Sequence, residues 1–360
     1  MKSAMQISDV SKIRLGSNAR RNALLAFNLE PTAFDSIRAM AIIKQNEKAP
    51  IAARNLMRSL AVLTKRDPLA NYWLIYDYGQ LGDIGKVLSY YDMTMRASVG
   101  SAEVLMPVMV RALESESSIV PFSSILERRP PWEGRFWTMA SRSGEALDNA
   151  LNLRMKLLDN GISYPLAVDL ELVNQLVQYQ KYVAASSLYL ALNKKKAAAT
   201  NRIVNDPDFA KPPTLPPFDW ALFGTGEYGA FISPSSQSMS ISATANAGGI
   251  VAQQLINLPP STYLLTVETD YDQSDGPLPI SVRVFCAKYG ERGRNNPIFR
   301  SGNQKIGGIF KMNSSVCRFY WLEVLALPTD DIDGYDVTVS KIDVQRIKPS
   351  KPSATAEISQ

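Results

Sequence analysis

The sequence predicts a multidomain protein in which an α-helical repeat array precedes an antiparallel β-sandwich. Apolar residues recur at helical spacing up to about residue 200 and alternate as in strands after it. A length of 360 residues also exceeds what one ordinary hydrophobic core accommodates. The pattern changes after three lysines at 194–196 and a proline-rich run at 212–220. These observations together place the domain boundary near residue 200.

We expect five segments along the chain. They are a basic N-terminal segment at 1–30, helical repeats at 31–200, a proline-rich linker at 201–217, the β-sandwich at 218–347 and a disordered tail at 348–360. Lys and Arg outnumber Asp and Glu near the N-terminus, which favours either a surface for anionic partners or a solvated helix face. Aromatic residues do not alternate with these cations, so nucleic acid is not an expected partner.

The helical half is organised in pairs, and the clearest pair lies within 68–101. Its small and aromatic residues stand at the spacing that lets two antiparallel helices interlock around a glycine turn. The residues concerned are Leu74, Tyr78, Gly82, Asp83, Val87 and Tyr91. This pattern resembles a tetratricopeptide repeat, and pairs within 32–66, 104–126 and 164–193 match it less closely. The resemblance implies a stacked solenoid that binds a protein partner.

The concave face of such a solenoid is its usual docking surface. The candidate residues for protein binding are Asn71, Tyr72, Tyr76, Arg111 and Arg142. The alternative is that the tyrosines belong to the core between repeats, because large aromatic side chains are more often buried than exposed.

The second half has short β-branched and aromatic segments separated by Gly, Pro, Asn and Ser. Candidate strands span 239–243, 249–256, 261–268, 280–287, 308–312, 317–326 and 335–346. Their order resembles a carbohydrate-binding-module or galactose-binding jelly roll. The resemblance is carried by residues 205–209 leading into 217–220, a strand bearing Gln253 before the Pro259-Pro260 turn, and a closing strand at 337–347. Joined to a tetratricopeptide-like array, it is similar to bacterial proteins that accompany polysaccharide synthesis and export.

That resemblance implies polysaccharide binding, which needs aromatic faces for the sugar ring and planar polar groups for its hydroxyls. The candidate sugar-binding residues are Trp220, Tyr228, Tyr271, Arg283, Tyr289, Arg292, Arg294, Asn295 and Asn296. The alternative for Trp220 and Trp321 is burial in the core, and the basic residues would equally suit an acidic glycan.

The amino-acid composition excludes several kinds of catalytic and metal site. The chain has no histidine, which excludes Ser-His-Asp and Cys-His nucleophile systems, and its two cysteines are too few for a cysteine zinc site. We therefore expect a non-catalytic adaptor without a cofactor. Two alternatives are a scaffold that binds proteins alone and a carboxylate-based glycan-active enzyme.

A glycine motif and an acidic motif are weaker indications of ligand binding. The run at 224–229 has dinucleotide-fingerprint spacing but is not followed by a helical pattern, so it is predicted to be a loop. Asp331, Asp333 and Asp336 offer oxygens to a structural calcium ion, and ordinary acidic turns explain them equally.

The two cysteines and the absence of long apolar stretches bear on where in the cell the protein is located. Cys286 and Cys317 lie in the β-rich half, where they form either a disulfide or two buried thiols. No stretch is apolar enough to span a bilayer, and the N-terminus lacks the apolar core of a signal peptide. The expected location is periplasmic or envelope-associated if an upstream anchor is missing from this chain, and cytoplasmic otherwise. We expect the protein to associate with a membrane only through that anchor or through a partner.

Overall fold

The computed structural model describes residues 13–65, 67–97, 100–193, 202–271, 277–288, 297–300, 306–312 and 317–347. The chain divides into two compact units, Met1–Leu172 and Val173–Gln360, here called the helical unit and the β unit. The predicted fold class, a helical array followed by an antiparallel β-sandwich, is confirmed. The predicted tail at 348–360 lies outside the described residues.

The described part of the chain forms eleven α-helices in sequence. They are α1 (Ser17–Leu29), α2 (Phe34–Asn46), α3 (Pro50–Leu63), α4 (Pro68–Gln80), α5 (Ile84–Ala97), α6 (Ser101–Ala112), α7 (Ile119–Leu126), α8 (Glu133–Arg142), α9 (Leu147–Asp159), α10 (Leu166–Gln178) and α11 (Tyr182–Leu192). Within the helical unit, α5, α7 and α9 contact one another in order, and so do α6 and α8. This two-layer stacking is the arrangement expected of a helical array.

The pairing of α4 with α5 follows from local sequence. Asp67 precedes α4, and its Oδ1 accepts a hydrogen bond from the Ala70 N–H at 2.9 Å, which caps the helix before Pro68 begins it. The helix ends at a turn where Gly82 has a φ of +71°, a conformation that favours glycine. The predicted glycine reversal is therefore present.

The helices α2, α3 and α4 share a core. Ile37 and Ala41 of α2 pack with Met57 and Leu60 of α3 and with Leu74 of α4. Each set repeats at intervals of three or four residues, so each helix presents one apolar stripe to its neighbours. Each apolar stripe is removed from water only when the neighbouring helices are in place, so the three helices stabilise one another.

A buried ion pair joins α9 to α10. Both side chains are almost fully buried, and the Arg154 guanidinium donates from Nε to Asp169 Oδ1 at 2.6 Å and from Nη2 to Oδ2 at 3.0 Å. Arg154 Nη1 also donates to the Ile162 carbonyl at 3.2 Å. The fork geometry satisfies both partners, as a buried charge requires.

The described residues of the β unit form ten strands. They are β1 (Ala221–Leu222), β2 (Tyr228–Ser233), β3 (Ser238–Ala243), β4 (Gly249–Asn257), β5 (Ser261–Thr269), β6 (Ile280–Cys286), β7 (Ile298–Arg300), β8 (Ile306–Met312), β9 (Phe319–Ala326) and β10 (Tyr335–Arg346). Sheet A has the order β1-β4-β9-β6-β7 and sheet B the order β2-β3-β10-β5-β8, with every pairing antiparallel. Alternate residues of both sheets meet in one core, among them Ile241, Leu265, Val282, Leu322 and Val339.

Residues 202–220, most of them predicted to be a linker, pack on the sandwich. Val204, Phe209 and Trp220 are part of its core. The Asn205 N–H donates to the Gln254 side chain at 2.8 Å, and the Ile342 N–H donates to the Pro207 carbonyl at 3.0 Å. The segment thus contacts both sheets.

Helix α11 also belongs to the β unit. The Tyr182 ring lies 5.9 Å from the Phe319 ring, and its hydroxyl donates to the Ala287 carbonyl at 2.8 Å. Further along the helix, the Tyr189 hydroxyl donates to Asp219 Oδ1 at 2.7 Å. Two tyrosines on one side of the helix therefore fix α11 to the sandwich.

The two cysteines form a disulfide. Cys286, at the end of β6, and Cys317, just before β9, are bonded at a Cα–Cα distance of 5.9 Å. Of the two alternatives from sequence, the disulfide is the one present. No helix in the described ranges combines the length and apolarity needed to cross a bilayer.

Candidate functional site

The two outer faces of the sandwich differ in exposure. On sheet A, the residues that point away from the core include Leu255, Phe285 and Phe319, and all three are buried. Phe319 is in contact with Tyr182 of α11. On sheet B, outward residues that include Phe231, Ser240, Leu264 and Ile309 are exposed. Among the described residues, the broad accessible face of the sandwich is therefore that of sheet B.

The outward side chains of β2, β3, β10, β5 and β8 form what we call the open face. It comprises Phe231, Ser240, Ser242, Asp336, Thr338, Thr266, Leu264 and Ile309. Each alternates with a core residue, which fixes its direction. Phe231 is 65% exposed and stands directly opposite Ser240, while Ile309 is 69% exposed and stands opposite Leu264. Serine and threonine side chains lie on the strands between these two apolar positions, together with Asp336, Asp343 and Gln345 of β10.

A tight connection between β1 and β2 shapes one edge of this face. Gly224 pairs with Gly229, and the Thr225 N–H donates to the Tyr228 carbonyl at 2.7 Å. A Cβ on Gly229 would lie 3.1 Å from the Gly224 Cα, so the close approach favours glycine. The predicted absence of a helix after this motif is confirmed, since β2 follows it.

A cavity of about 440 Å³ opens beside this connection, and we call it the hairpin cavity. It is lined by the β1–β2 turn, the end of β3 and the start of β10. Phe231 and Tyr228 supply aromatic surface, while Glu227, Asp336 and Ser242 supply polar groups. Its volume lies in the range of small-ligand sites, about 300–1,000 Å³.

Tyr335 also lines the hairpin cavity. Its hydroxyl lies 2.9 Å from both the Pro279 and the Leu327 carbonyl oxygens. Burial raises the pKa of Tyr335 to about 12, so the hydroxyl stays protonated at neutral pH. The ring is thereby held in place by its own hydrogen bonding.

Of the predicted sugar-binding residues, Trp220 is buried and Arg283 is already paired. Trp220 is 2% exposed and packs against Phe209 in the core. Its ring cannot stack on a sugar in this position, which agrees with the alternative of burial. Arg283 forms an ion pair with Glu323 on sheet A, and that carboxylate is buried. Its guanidinium is therefore already engaged.

Other predicted sugar-binding residues divide into two groups. Tyr228 lies at the hairpin cavity, although its ring rests against the backbone of Gly249, where any side chain would overlap it. Tyr271 is half-buried and packs against the sandwich core. The remaining candidates lie outside the described residues: Tyr289, Arg292, Arg294, Asn295 and Asn296.

The predicted docking residues of the helical unit are unequal in exposure. Asn71 is 1% exposed, and its Nδ2 donates to the Lys65 carbonyl at 3.4 Å, so it is a buried residue rather than a surface one. Tyr72 and Tyr76 are half-buried on α4, and Tyr72 packs against the core. Arg111 is exposed on α6.

Arg142 lies at the end of α8. It is exposed, and its Nε donates to Glu171 at 2.8 Å. Of the five predicted docking residues, Arg111 and Arg142 are therefore the ones at the surface.

The calcium prediction at Asp331, Asp333 and Asp336 finds no geometric support. Among the described residues, no three acidic or cysteine side chains are grouped closely enough to hold a metal ion. Asp331 Oδ1 instead accepts a hydrogen bond from the Asp333 N–H at 3.1 Å, and Gly334 follows with a φ of +70°. These residues form an acidic turn.

Sequence reasoning predicted β3 at 239–243 but did not name its Ser240 and Ser242 as site residues. It missed Phe231, because it did not identify β2. The signal was present: Tyr228, Ala230 and Ile232 alternate with outward residues over six positions. The strand is short and stops at Pro234, so its period-two pattern is weak.

No protein-family model and no curated protein matches this chain. Solved structures similar to part of it include a structure described as "CBM4 structure and function", at 15% identity and a TM-score of 0.27, covering 40% of this chain and 99% of that one. Another is the second N-terminal cellulose-binding domain of Cellulomonas fimi β-1,4-glucanase C, at 16% identity and a TM-score of 0.25, covering 41% and 95%. This degree of similarity is too low to assign a ligand to this chain.

Proposed function

We propose that this chain is a non-catalytic adaptor whose β unit binds a polysaccharide on the open face and whose helical unit binds a protein partner. The observation that carries the sugar part is the placement of Phe231. Its ring is 65% exposed and lines the hairpin cavity, which Ser242 and Asp336 also line. An apolar ring face next to hydrogen-bonding groups is what a pyranose requires.

Two further features support a binding role. Leu255, Phe285 and Phe319 on the outer face of sheet A are buried, so the larger accessible apolar side chains of the described sandwich include Phe231 and Ile309 on sheet B. Phe231 is also a large apolar side chain that is 65% exposed. A ligand that covers its ring would remove that apolar surface from water, which is favourable.

The envelope setting is part of the same proposal. A disulfide persists in oxidising compartments and is rare where thiols are kept reduced. We therefore infer a periplasmic or envelope location, with polysaccharide biosynthesis or export as the context. The protein partner would meet the helical unit at its exposed cations, Arg111 and Arg142.

The test is quantitative binding of the full chain to immobilised neutral and acidic polysaccharides. Phe231→Ala should weaken binding about 10- to 100-fold, because a buried aromatic contact contributes about 1.5–3 kcal/mol. Phe34→Ala is the matched control, since Phe34 is also an exposed phenylalanine but lies in the helical unit. Equal unfolding temperatures of the two variants would exclude a folding defect.

Absence of saturable binding to every polysaccharide would overturn the sugar part and leave a scaffold that binds proteins alone. The hairpin cavity also carries the carboxylates Glu227, Asp333 and Asp336, which keeps a glycan-active enzyme as a second candidate. Size analysis of the bound polysaccharide after prolonged incubation separates the two. Unchanged chain length is expected of an adaptor, whereas shorter products would establish hydrolysis.

A further inference from the structure

The charged groups at the hairpin cavity are all acidic. The carboxylates of Glu227, Asp333 and Asp336 line it, and no lysine or arginine is among its described lining residues. All three acidic residues are exposed. Their carboxylates form no ion pair or hydrogen bond with the residues that the structure describes. The negative charge at the cavity is therefore available to a ligand.

Other carboxylates of the β unit are paired with arginine. Glu323 is paired with Arg283, and Asp208 is paired with Arg202. The chain has a formal net charge of +5, so the unpaired carboxylates at the cavity do not result from a shortage of cations. Exposed charges act over about 8 Å at physiological salt, so the nearby carboxylates determine the potential in the cavity. A cavity lined by one sign of charge attracts ligands of the opposite sign.

The backbone fixes Glu227 and Asp336 at the cavity before any ligand binds. The Glu227 N–H donates to Thr225 Oγ1 at 3.1 Å, and the Glu227 carbonyl accepts from the Thr244 N–H at 2.8 Å. Asp336 belongs to β10 and stands directly opposite Ser242 of β3. Both residues are thus held by the edge of sheet B from which they extend.

The turn that carries Asp333 is packed against the end of β3. A Cβ on Gly334 would lie 2.2 Å from the Ala243 carbonyl oxygen, and Gly334 has a φ of +70°. Only glycine fits this close approach. The Gly334 N–H also donates to the Asp331 carbonyl at 3.1 Å, which closes the turn. Asp333 is therefore held beside the same end of the sheet.

The carboxylates are spread along the cavity and do not converge on one point. Among the described residues, no three acidic side chains are grouped closely enough to hold a metal ion. Phe231 on β2 and Asp336 on β10 are separated by β3, which places their strands roughly 10 Å apart. A ligand that contacts both has to extend over about that distance, as successive sugars of one chain do.

We propose that the polysaccharide bound at the open face contains amino sugars with free amino groups, and that Glu227, Asp333 and Asp336 bind its ammonium groups. This inference rests on the proposed function. An equatorial amino group lies at the edge of a pyranose, so a sugar stacked on Phe231 directs its ammonium sideways toward the cavity walls. Hydrogen bonds between an ammonium and a carboxylate are charge-assisted and strong, and an N-acetylated sugar cannot form them.

Calorimetric titration of the full chain with the hexamers of glucosamine and of N-acetylglucosamine tests the proposal. The two ligands share one sugar backbone and differ in charge at about pH 6, where ordinary carboxyl groups are ionised. Each exposed ion pair contributes a factor of about 1.5–5, so the glucosamine hexamer should bind about tenfold more tightly. That preference should shrink at about 0.5 M salt, because salt screens exposed charges.

Variants separate the charge from the ring. The triple variant Glu227→Gln, Asp333→Asn, Asp336→Asn should lose the tenfold preference and keep its binding of the N-acetylated hexamer. Phe231→Ala should weaken the binding of both hexamers. Asp208→Asn is the matched control, because it removes an exposed carboxylate of the same unit outside the cavity, and it should change neither affinity. Unfolding temperatures of all variants show whether the fold is kept.

Three results would overturn the inference. The first is equal affinity for the two hexamers, and the second is no binding of the glucosamine hexamer; if a neutral polysaccharide still binds through Phe231, the proposed function stands in both cases. The third is equally strong competition by a pentapeptide of lysine, which would show a general cation site. Absence of binding to every polysaccharide, amino sugars included, would instead remove the open face as a sugar site.

Discussion

Asp219 joins helix α11 to the segment that precedes β1. Its Oδ2 accepts hydrogen bonds from the Leu215 N–H at 2.8 Å and from the Thr214 N–H and hydroxyl at 3.0 Å. Its Oδ1 accepts from the Tyr189 hydroxyl at 2.7 Å. Burial alone would raise the pKa of Asp219, but these donors outweigh it and hold the pKa below its ordinary value.

This lowered pKa predicts an acid-sensitive β unit. A carboxyl whose folded pKa lies below its unfolded value, about 3.9, adds stability above that value and loses it as pH falls through the folded pKa. Asp219→Asn should therefore destabilise the β unit at pH 7 by about 1–3 kcal/mol and flatten the fall in stability below pH 4. Urea unfolding of the full chain from pH 7 to pH 2 measures both effects.

Asp208→Asn is the control, because Asp208 lies in the same unit and its side chain, paired with Arg202, is 41% exposed. Its unfolding should differ little from wild type at any pH. An identical acid slope in wild type and Asp219→Asn would refute the role of this carboxylate.

The roles of single aromatic residues were the least predictable from sequence. Trp220 and Phe231 both stand in short β-like segments, yet one is buried and the other is 65% exposed. Burial of Trp220 depends on Phe209, and exposure of Phe231 depends on the outer face of sheet B being uncovered at that position. Both are tertiary facts, which no local pattern contains. The disulfide was easier to anticipate. Because the chain has two cysteines, a disulfide and a pair of buried thiols were the two alternatives that the sequence left.

Among the helices, α9 and α10 depend most on one interaction. Asp169→Ala would leave Arg154 charged and buried without a partner, which costs about 3–5 kcal/mol. The double variant Arg154→Met, Asp169→Leu should recover much of that stability, because it removes both charges and keeps the volume. Chemical unfolding of the helical unit within the full chain measures the difference.

Glu171→Ala is the matched control at the neighbouring pair. Arg142 is exposed and Glu171 is partly exposed, so breaking this pair should cost less than about 1 kcal/mol. A loss at Asp169 no larger than the loss at Glu171 would contradict a stabilising role for the buried pair.

Sequence reasoning located elements with regular spacing and missed the irregular ones. The observed β4, β5, β9 and β10 begin and end within two residues of their predicted bounds. The pair α8–α9 was not assigned, because the buried Arg154 interrupts the apolar stripe of α9 with a residue that is usually exposed. The short strands β1, β2 and β7 bury too few side chains to leave a period-two signal.

Across the whole molecule, the disulfide distinguishes the two units. It lies entirely within the β unit and closes a loop with a sequence separation of 31 residues. A cross-link of this span stabilises by about 2–4 kcal/mol through the unfolded state. Reduction should therefore lower the unfolding temperature of the β unit by several degrees and leave that of the helical unit unchanged.

Calorimetry of the full chain with and without a reductant checks this, with near-ultraviolet circular dichroism assigning each transition. The assignment is feasible because Trp220 and Trp321 report on the β unit, while Trp73, Trp132 and Trp137 report on the helical unit. A shift of equal size in both transitions would show that the units do not respond separately.

The attachment of α11 also has a consequence for synthesis on the ribosome. Tyr182 must wait for Ala287, its hydrogen-bond acceptor, which lies 105 residues later in the chain. At about 5–20 residues per second, that delay is roughly 5–20 s. The helical unit is complete at its last residue, Leu172, well before then, while α11 has no strand to rest on. A nascent chain stalled before β6 would thus expose the tyrosine side of α11, and this is the stage at which chaperone contact should be greatest.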